Sequence, residues 1–152
     1  MNKANSVFHT LCNHMDALGL HYTKDESDLT AVCPFRGEDL PIELRIGVDA
    51  DKELVMVLSF LPFTVAEDKR LELAIAISIA NNKLVDGCFD YDIQGGHIFF
   101  RQVASYMDSD LGAELFSYMM ECSHRTIDDF NDKFMLLSKG IITLEKYMEM
   151  VM

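Results

Sequence analysis

Residues 75–101 read IAISIANNKLVDGCFDYDIQGGHIFFR, and the change of period inside that stretch decides the fold. Up to Asn81–Asn82 the chain is almost wholly apolar, which suits a helix buried on most sides. Beyond Gly87 the period becomes two. Phe89, Tyr91 and Ile93 share one face of a strand, and Ile98 and Phe100 share that face on the next if Gly95–Gly96 is a two-residue turn. The same register sets Asp90 opposite Arg101 on the outer side. A helix feeding a hairpin results, with those five apolar side chains expected to be buried beneath Ile75 and Ile79.

Upstream, Val7, Phe8, Leu11, Met15 and Leu18 recur at helical spacing and Gly19 stops the run. Three strands follow, Leu29–Phe35, Leu40–Val48 and Glu53–Leu61. Pro34 argues for an edge position in the first. In the second, Leu40, Ile42, Leu44, Ile46 and Val48 oppose Glu43 and Arg45. The third is apolar on both faces: Leu54, Met56, Leu58 and Phe60 on one, Val55, Val57 and Leu61 on the other. Such a strand is central and covered twice, or it meets a partner. Pro62 closes it, and the apolar helix is expected over Val65–Leu84.

Downstream, Asp108 or Ser109 caps a helix that Ser123–His124–Arg125 interrupts. Its second part carries Phe130, Phe134 and Leu137 and ends at Gly140. Thr143 caps a last segment, LEKYMEMVM. The predicted fold is one α+β domain over residues 1–152: an antiparallel five-stranded sheet with helices, in the order α-β-β-β-α-β-β-α.

Composition narrows the function. The 152 residues carry 25 acids against 13 Lys and Arg, a net charge of −12. Phosphate neutralisation is what drives non-specific nucleic-acid binding, so DNA and RNA are disfavoured as partners, and so is an anionic membrane. No apolar run reaches signal-peptide or membrane-spanning length. Four dispersed cysteines without a CxxC fit a reducing cytoplasm.

Four features together resemble the YbjN-like family, described as putative bacterial sensory transduction regulators, whose fold resembles the type III secretion chaperones. Asn81, or Asn82 beside it, closes the apolar helix before a Phe-rich strand. FDYDIQGGHIFFR follows the pattern of acid, glycine, apolar and final arginine. DDFNDKF and LLSKGIITLEKYME match the carboxyl-terminal helices. The chain lacks the Trp that many relatives show near the Asn. The resemblance implies a binding or regulatory role and a homodimer, and carries no catalytic residue.

No constellation supplies chemistry. Cys12-x-His14 and Cys122-x-His124 point their side chains apart on a helix and cannot share a metal; His9 and Cys12, three apart, could, but packed thiols and surface imidazoles are the expected reading. Asp49, Asp51 and Glu53 copy a calcium loop only until Leu54 and Phe60 replace its Gly and Glu. Cys88 near His97 is the one nucleophile pair the hairpin offers, and it lacks an orienting third group. No catalytic, cofactor-binding or metal residue is assigned, and no cofactor is expected. The expectation is a non-enzymatic cytoplasmic module that binds a protein partner, chaperone-like or regulatory. A dedicated secretion chaperone and a small enzyme are the alternatives. The expected binding surface is Val55, Val57 and Leu61 on the third strand with Tyr147, Met148 and Val151 at the end. That apolar excess is buried either in a two-fold homodimer or under the chain's own terminal helices.

Overall fold

The computed structural model describes residues 2–152. Helix α1, Lys3–Ala17, is opened by Asn2, whose side chain accepts from the Asn5 N–H at 2.8 Å, and closed by Gly19 at φ +70°. Its buried stripe includes Val7, Phe8, Leu11 and Met15. Four strands follow: β1 Thr23–Asp25, β2 Thr30–Arg36, β3 Pro41–Asp49 and β4 Leu54–Thr64. A 3-10 turn, Glu67–Lys69, leads into α2, Arg70–Lys83, and then come β5 Cys88–Asp92 and β6 His97–Ser105. Two helices end the chain, α3 Ala113–Ser138 and α4 Leu144–Val151.

The α+β class holds, and the sheet has six strands rather than five, in the order β1-β2-β3-β4-β6-β5, all antiparallel. The extra strand, β1, is three residues long and exposed throughout, so it leaves no alternation to read. It pairs only with Thr30–Val32. Pro34 therefore lies where β2 is an edge, and its missing N–H costs no ladder bond. β4 runs past Pro62 to Thr64, with its register broken between Phe60 and Thr64; a bulge accommodates the proline that was expected to end the strand.

The hairpin also pairs differently. Asp92 faces His97 and Phe89 faces Phe100, so the loop has four residues, Ile93–Gly96. Its geometry explains the choice. Asp92 accepts from the Gly96 N–H at 2.7 Å, Gly96 needs φ +75°, and the Gly96 carbonyl accepts from Val65 N–H at 2.8 Å. A shift of two residues keeps every side chain on its face. Phe89, Ile98 and Phe100 are buried as expected, and Asp90 still reaches Arg101 at 2.8 Å. Ile93 falls in the turn and is exposed, and Tyr91 is only half-buried, its hydroxyl donating to the Arg70 carbonyl at 3.0 Å.

Asn81 earns its place here. Its Nδ2 donates to the Phe89 carbonyl at 2.9 Å and its Oδ1 accepts from the Phe89 N–H at 2.7 Å. One side chain thus pairs both backbone groups of a residue on the outer edge of β5, in the manner of a neighbouring strand.

Two helix expectations need correction. α2 is not buried on most sides: Leu73, Ala76, Ile77 and Ala80 face inward, while Leu71 is 75% and Ile75 51% exposed. α3 is not broken at Ser123–His124–Arg125. It runs unbroken for 26 residues and starts after Gly112 rather than at Asp108 or Ser109. The polar triplet holds neither Gly nor Pro, and its first two members have partners. Ser123, fully buried, donates to Gln102 Oε1 at 3.0 Å, and His124 Nε2 lies 2.7 Å from the Arg36 carbonyl oxygen. Gly140, at φ +70°, ends that helix, and Thr143 caps α4 as expected by accepting from the Lys146 N–H at 3.1 Å.

The helices cover one face of the sheet. Ile42, Leu44, Ile46, Val48, Ile98 and Phe100 meet Phe8, Leu11, Phe116, Phe130 and Phe134 in one core. The Phe89 ring packs edge-on against Phe130 and Phe134. Tyr147 of α4 is fully buried, stacks on Phe134 and donates its hydroxyl to the Ala76 carbonyl at 2.7 Å.

Candidate protein-binding surface

Alternation along β4 separates two equally apolar faces. Val55, Val57 and Leu61 are buried beneath the helices. The expected surface on this strand is therefore inverted: those three residues are core. Tyr147 is core as well, whereas Met148 and Val151 of α4 are half-buried. The structure does not join the six residues into one exposed patch.

The accessible face carries the other set. Met56 and Leu58 are half-buried, and Phe60 is 59% exposed. β6 adds Phe99, and Val103 at 42% exposure. Registry groups them: Met56 sits between Gly47 and Val103, Leu58 between Arg45 and Arg101, and Phe60 beside Phe99. The two phenyl rings tilt together with centroids 5.0 Å apart. Beside this ridge a trough of about 320 Å³ opens over Gly47, lined also by Thr30, Arg45, Met56 and Leu58. A contiguous apolar surface left bare by its own chain marks an interaction site. The sequence held one clue to the correct face. Arg45 opposes the buried Ile42–Val48 set on β3, so whichever β4 residues pair with Arg45 must face outward with it.

Two other apolar surfaces lie elsewhere. One is the outer side of α2, with Leu71 and Ile75. The other is a groove of about 340 Å³ between the end of α1, β2 and α3, walled by Leu18, Leu20, Phe35 and Met120.

The remaining candidate chemistry comes apart. Cys88 pairs with Arg101 and His97 with Asp92, at opposite ends of the hairpin, so no Cys–His couple forms. Burial pushes the Cys12 and Cys33 thiols up, away from thiolate character. Asp49 Oδ1 accepts from the Asp51 and Lys52 N–H groups at 3.0 and 2.9 Å, which is a turn. Among the described residues no three His, Cys, Asp or Glu side chains gather as metal ligands. The most connected polar group is a chain from solvent to core. Tyr118 donates to Asp86 Oδ2 at 2.7 Å and Gln102 Nε2 donates to the same oxygen at 2.8 Å. The Asp86 carboxylate, and to a smaller degree burial, push the Tyr118 hydroxyl up to about 12. This chain ties the α2–β5 connection to β6 and α3. No described helix is long and apolar enough to cross a membrane.

Among solved structures, the chain is similar to YbjN of E. coli, a putative transcription regulator, at TM-score 0.58 and 15% identity over 88% of this chain and 90% of that one. It is similar to a chain of the HopA1–SchA chaperone–effector complex at 0.57 and 14%, covering 87% and 98%. The ExsC–ExsE complex gives 0.58 and 12%, covering 86% and 96%. These likenesses establish a shared fold. No curated protein matches the chain. The family model YbjN, described as a putative bacterial sensory transduction regulator, matches residues 9–135, and the chain belongs to that family.

Proposed function

We propose that this protein is a non-enzymatic protein-binding module of the cytoplasm, chaperone-like or regulatory, and that its partner sits on the bare face of the sheet. The observation that carries this reading is the apolar ridge of Met56, Leu58 and Phe60 with Phe99 and Val103, which none of the described helices covers. A regulator family and a fold shared with the HopA1–SchA chaperone–effector complex and with the ExsC–ExsE complex support a role in binding. The scattered thiols and histidines offer no competing chemistry. The net charge of −12 opposes a nucleic-acid partner.

Two refinements follow. A dedicated chaperone for one exported protein is the narrower reading, favoured by the fold shared with the HopA1–SchA chaperone–effector complex. A homodimer is the second, and its natural contact is the outer side of α2, where Leu71 and Ile75 face solvent one helical turn apart. An apolar contact between two acidic copies strengthens with added salt.

Affinity capture from the native host tests the main reading, with wild type and Phe60→Asp compared. Phe60 is exposed, so the variant should fold normally and lose the partner. A partner retained by Phe60→Asp and lost by Leu71→Asp would move the site to α2.

A further inference from the structure

We infer that the bare sheet face is shaped for a partner's α-helix, apolar along one stripe and flanked by carboxylates, lying along β4. This rests on the assignment of that face as the binding surface, and names what binds there.

The floor is Met56, Leu58 and Phe60. Registry places Arg45 of β3 on one side of Leu58 and Arg101 of β6 on the other. Neighbouring strands lie about 4.8 Å apart, so the two arginine positions stand about 10 Å apart across β4. An α-helix with its side chains is about 10–12 Å wide. A helix on β4 therefore rests on an apolar floor with Arg45 along one flank and the Arg101–Asp90 pair along the other. Arg101 is already held by Asp90 at 2.8 Å. Arg45 is exposed and takes part in none of the ion pairs among the described residues. A guanidinium without a carboxylate, beside apolar surface, is suited to bidentate pairing with an incoming Asp or Glu.

Gly47 supplies the room. A Cβ there would meet only the Thr30 Oγ1, at 3.7 Å. The glycine thus answers no backbone demand and leaves space beside the ridge. The acids at the far wall of that trough are engaged: Asp49 accepts from two backbone N–H groups, and Asp28 Oδ2 takes the Thr30 hydroxyl at 3.2 Å.

Other occupants fit less well. An added strand needs a free edge. Here β1 is short and charged, Pro34 interrupts β2, and Asn81 occupies the edge of β5 at Phe89. A second copy turned face to face about Leu58 would set its arginine row against the same row. A sheet apolar on both sides completes a third layer by taking a helix.

The test uses the full chain and two synthetic helical peptides of about 18 residues, long enough to follow the ridge. Both carry one Leu/Phe stripe; one is flanked by Glu, the other by Lys. The Glu-flanked peptide should bind wild type at least about ten-fold tighter, the scale of one charge-assisted contact. Arg45→Glu should invert the preference. Gly47→Tyr fills the trough from a position where a side chain fits and should weaken the Glu-flanked peptide by about ten-fold while the fold holds. The acidity of the whole molecule predicts the opposite order, so a tighter Lys-flanked peptide overturns the inference, as does binding of neither. A wild-type dimer that Phe60→Asp splits also overturns it, since the occupant is then a second copy. Hydrogen exchange separates the two levels of failure. Protection of β4 and β6 by the Lys-flanked peptide removes the acidic helix but keeps the surface. Protection confined to α2 removes the surface itself.

Discussion

The two faces of β4 are made of the same kinds of residue and have opposite fates. Val55, Val57 and Leu61 are sealed against the helices; Met56, Leu58 and Phe60 look into solvent. Strand chemistry does not distinguish them. The neighbours do: Ile46 and Val48 on the buried side of β3, Arg45 and Gly47 on the open side. Large apolar side chains on a face that the helices leave uncovered mark a surface for contact with something else.

The sharpest way to break this comparison is to remove one phenyl ring from each face. Phe100→Ala empties a fully buried site and should cost about 3–5 kcal/mol in urea unfolding. Phe60→Ala, at 59% exposure, should cost under about 1 kcal/mol, mostly its contact with Phe99. Equal losses would mean that the outer face is part of the stability core after all.

The same contrast shows what a sequence can disclose. The two strands of the hairpin though not its loop length, the helix stops at Gly19 and Gly140, the Thr143 cap and the inward set of β3 are legible because each rests on local pattern. The inward face of β4 is not, because period two gives two faces and only pairing tells which one looks outward. Val55, Val57, Leu61 and Tyr147 read as surface but lie in the core for the same reason: apolar excess is visible in the sequence, its direction is not. Ser123 misled in the opposite sense. A polar residue within a helical stripe reads as an interruption until Gln102 appears across the interface to accept its hydroxyl.

A second prediction sharpens the role of edges against faces. Asn81→Ala removes two hydrogen bonds to the Phe89 backbone and should destabilise by about 1–3 kcal/mol. Asn81→Asp keeps the acceptor but sets a carboxylate oxygen against the Phe89 carbonyl, so it should cost at least as much. Amide exchange at Phe89 should quicken in Asn81→Ala, which removes the acceptor of that N–H. Exchange unchanged from wild type would mean that the edge is protected by something other than Asn81.

The smallest expected effect lies at Gly47. Gly47→Val replaces a strand glycine whose side-chain space is open, and should be neutral or stabilising by up to about 1 kcal/mol in thermal unfolding. A clear loss of stability would show that the trough is structurally required rather than left open for a partner.

The central claim is that the outer face of β4 and β6 is the binding surface, and side-chain footprinting with hydroxyl radicals addresses it most directly. The free protein and its complex with the partner recovered from the native host would be oxidised in parallel and compared by mass spectrometry. Met56, Phe60 and Phe99 should react in the free protein and be shielded in the complex, with Leu71 and Ile75 unchanged by that partner. Shielding of Leu71 and Ile75 while Met56, Phe60 and Phe99 stay reactive would contradict the account.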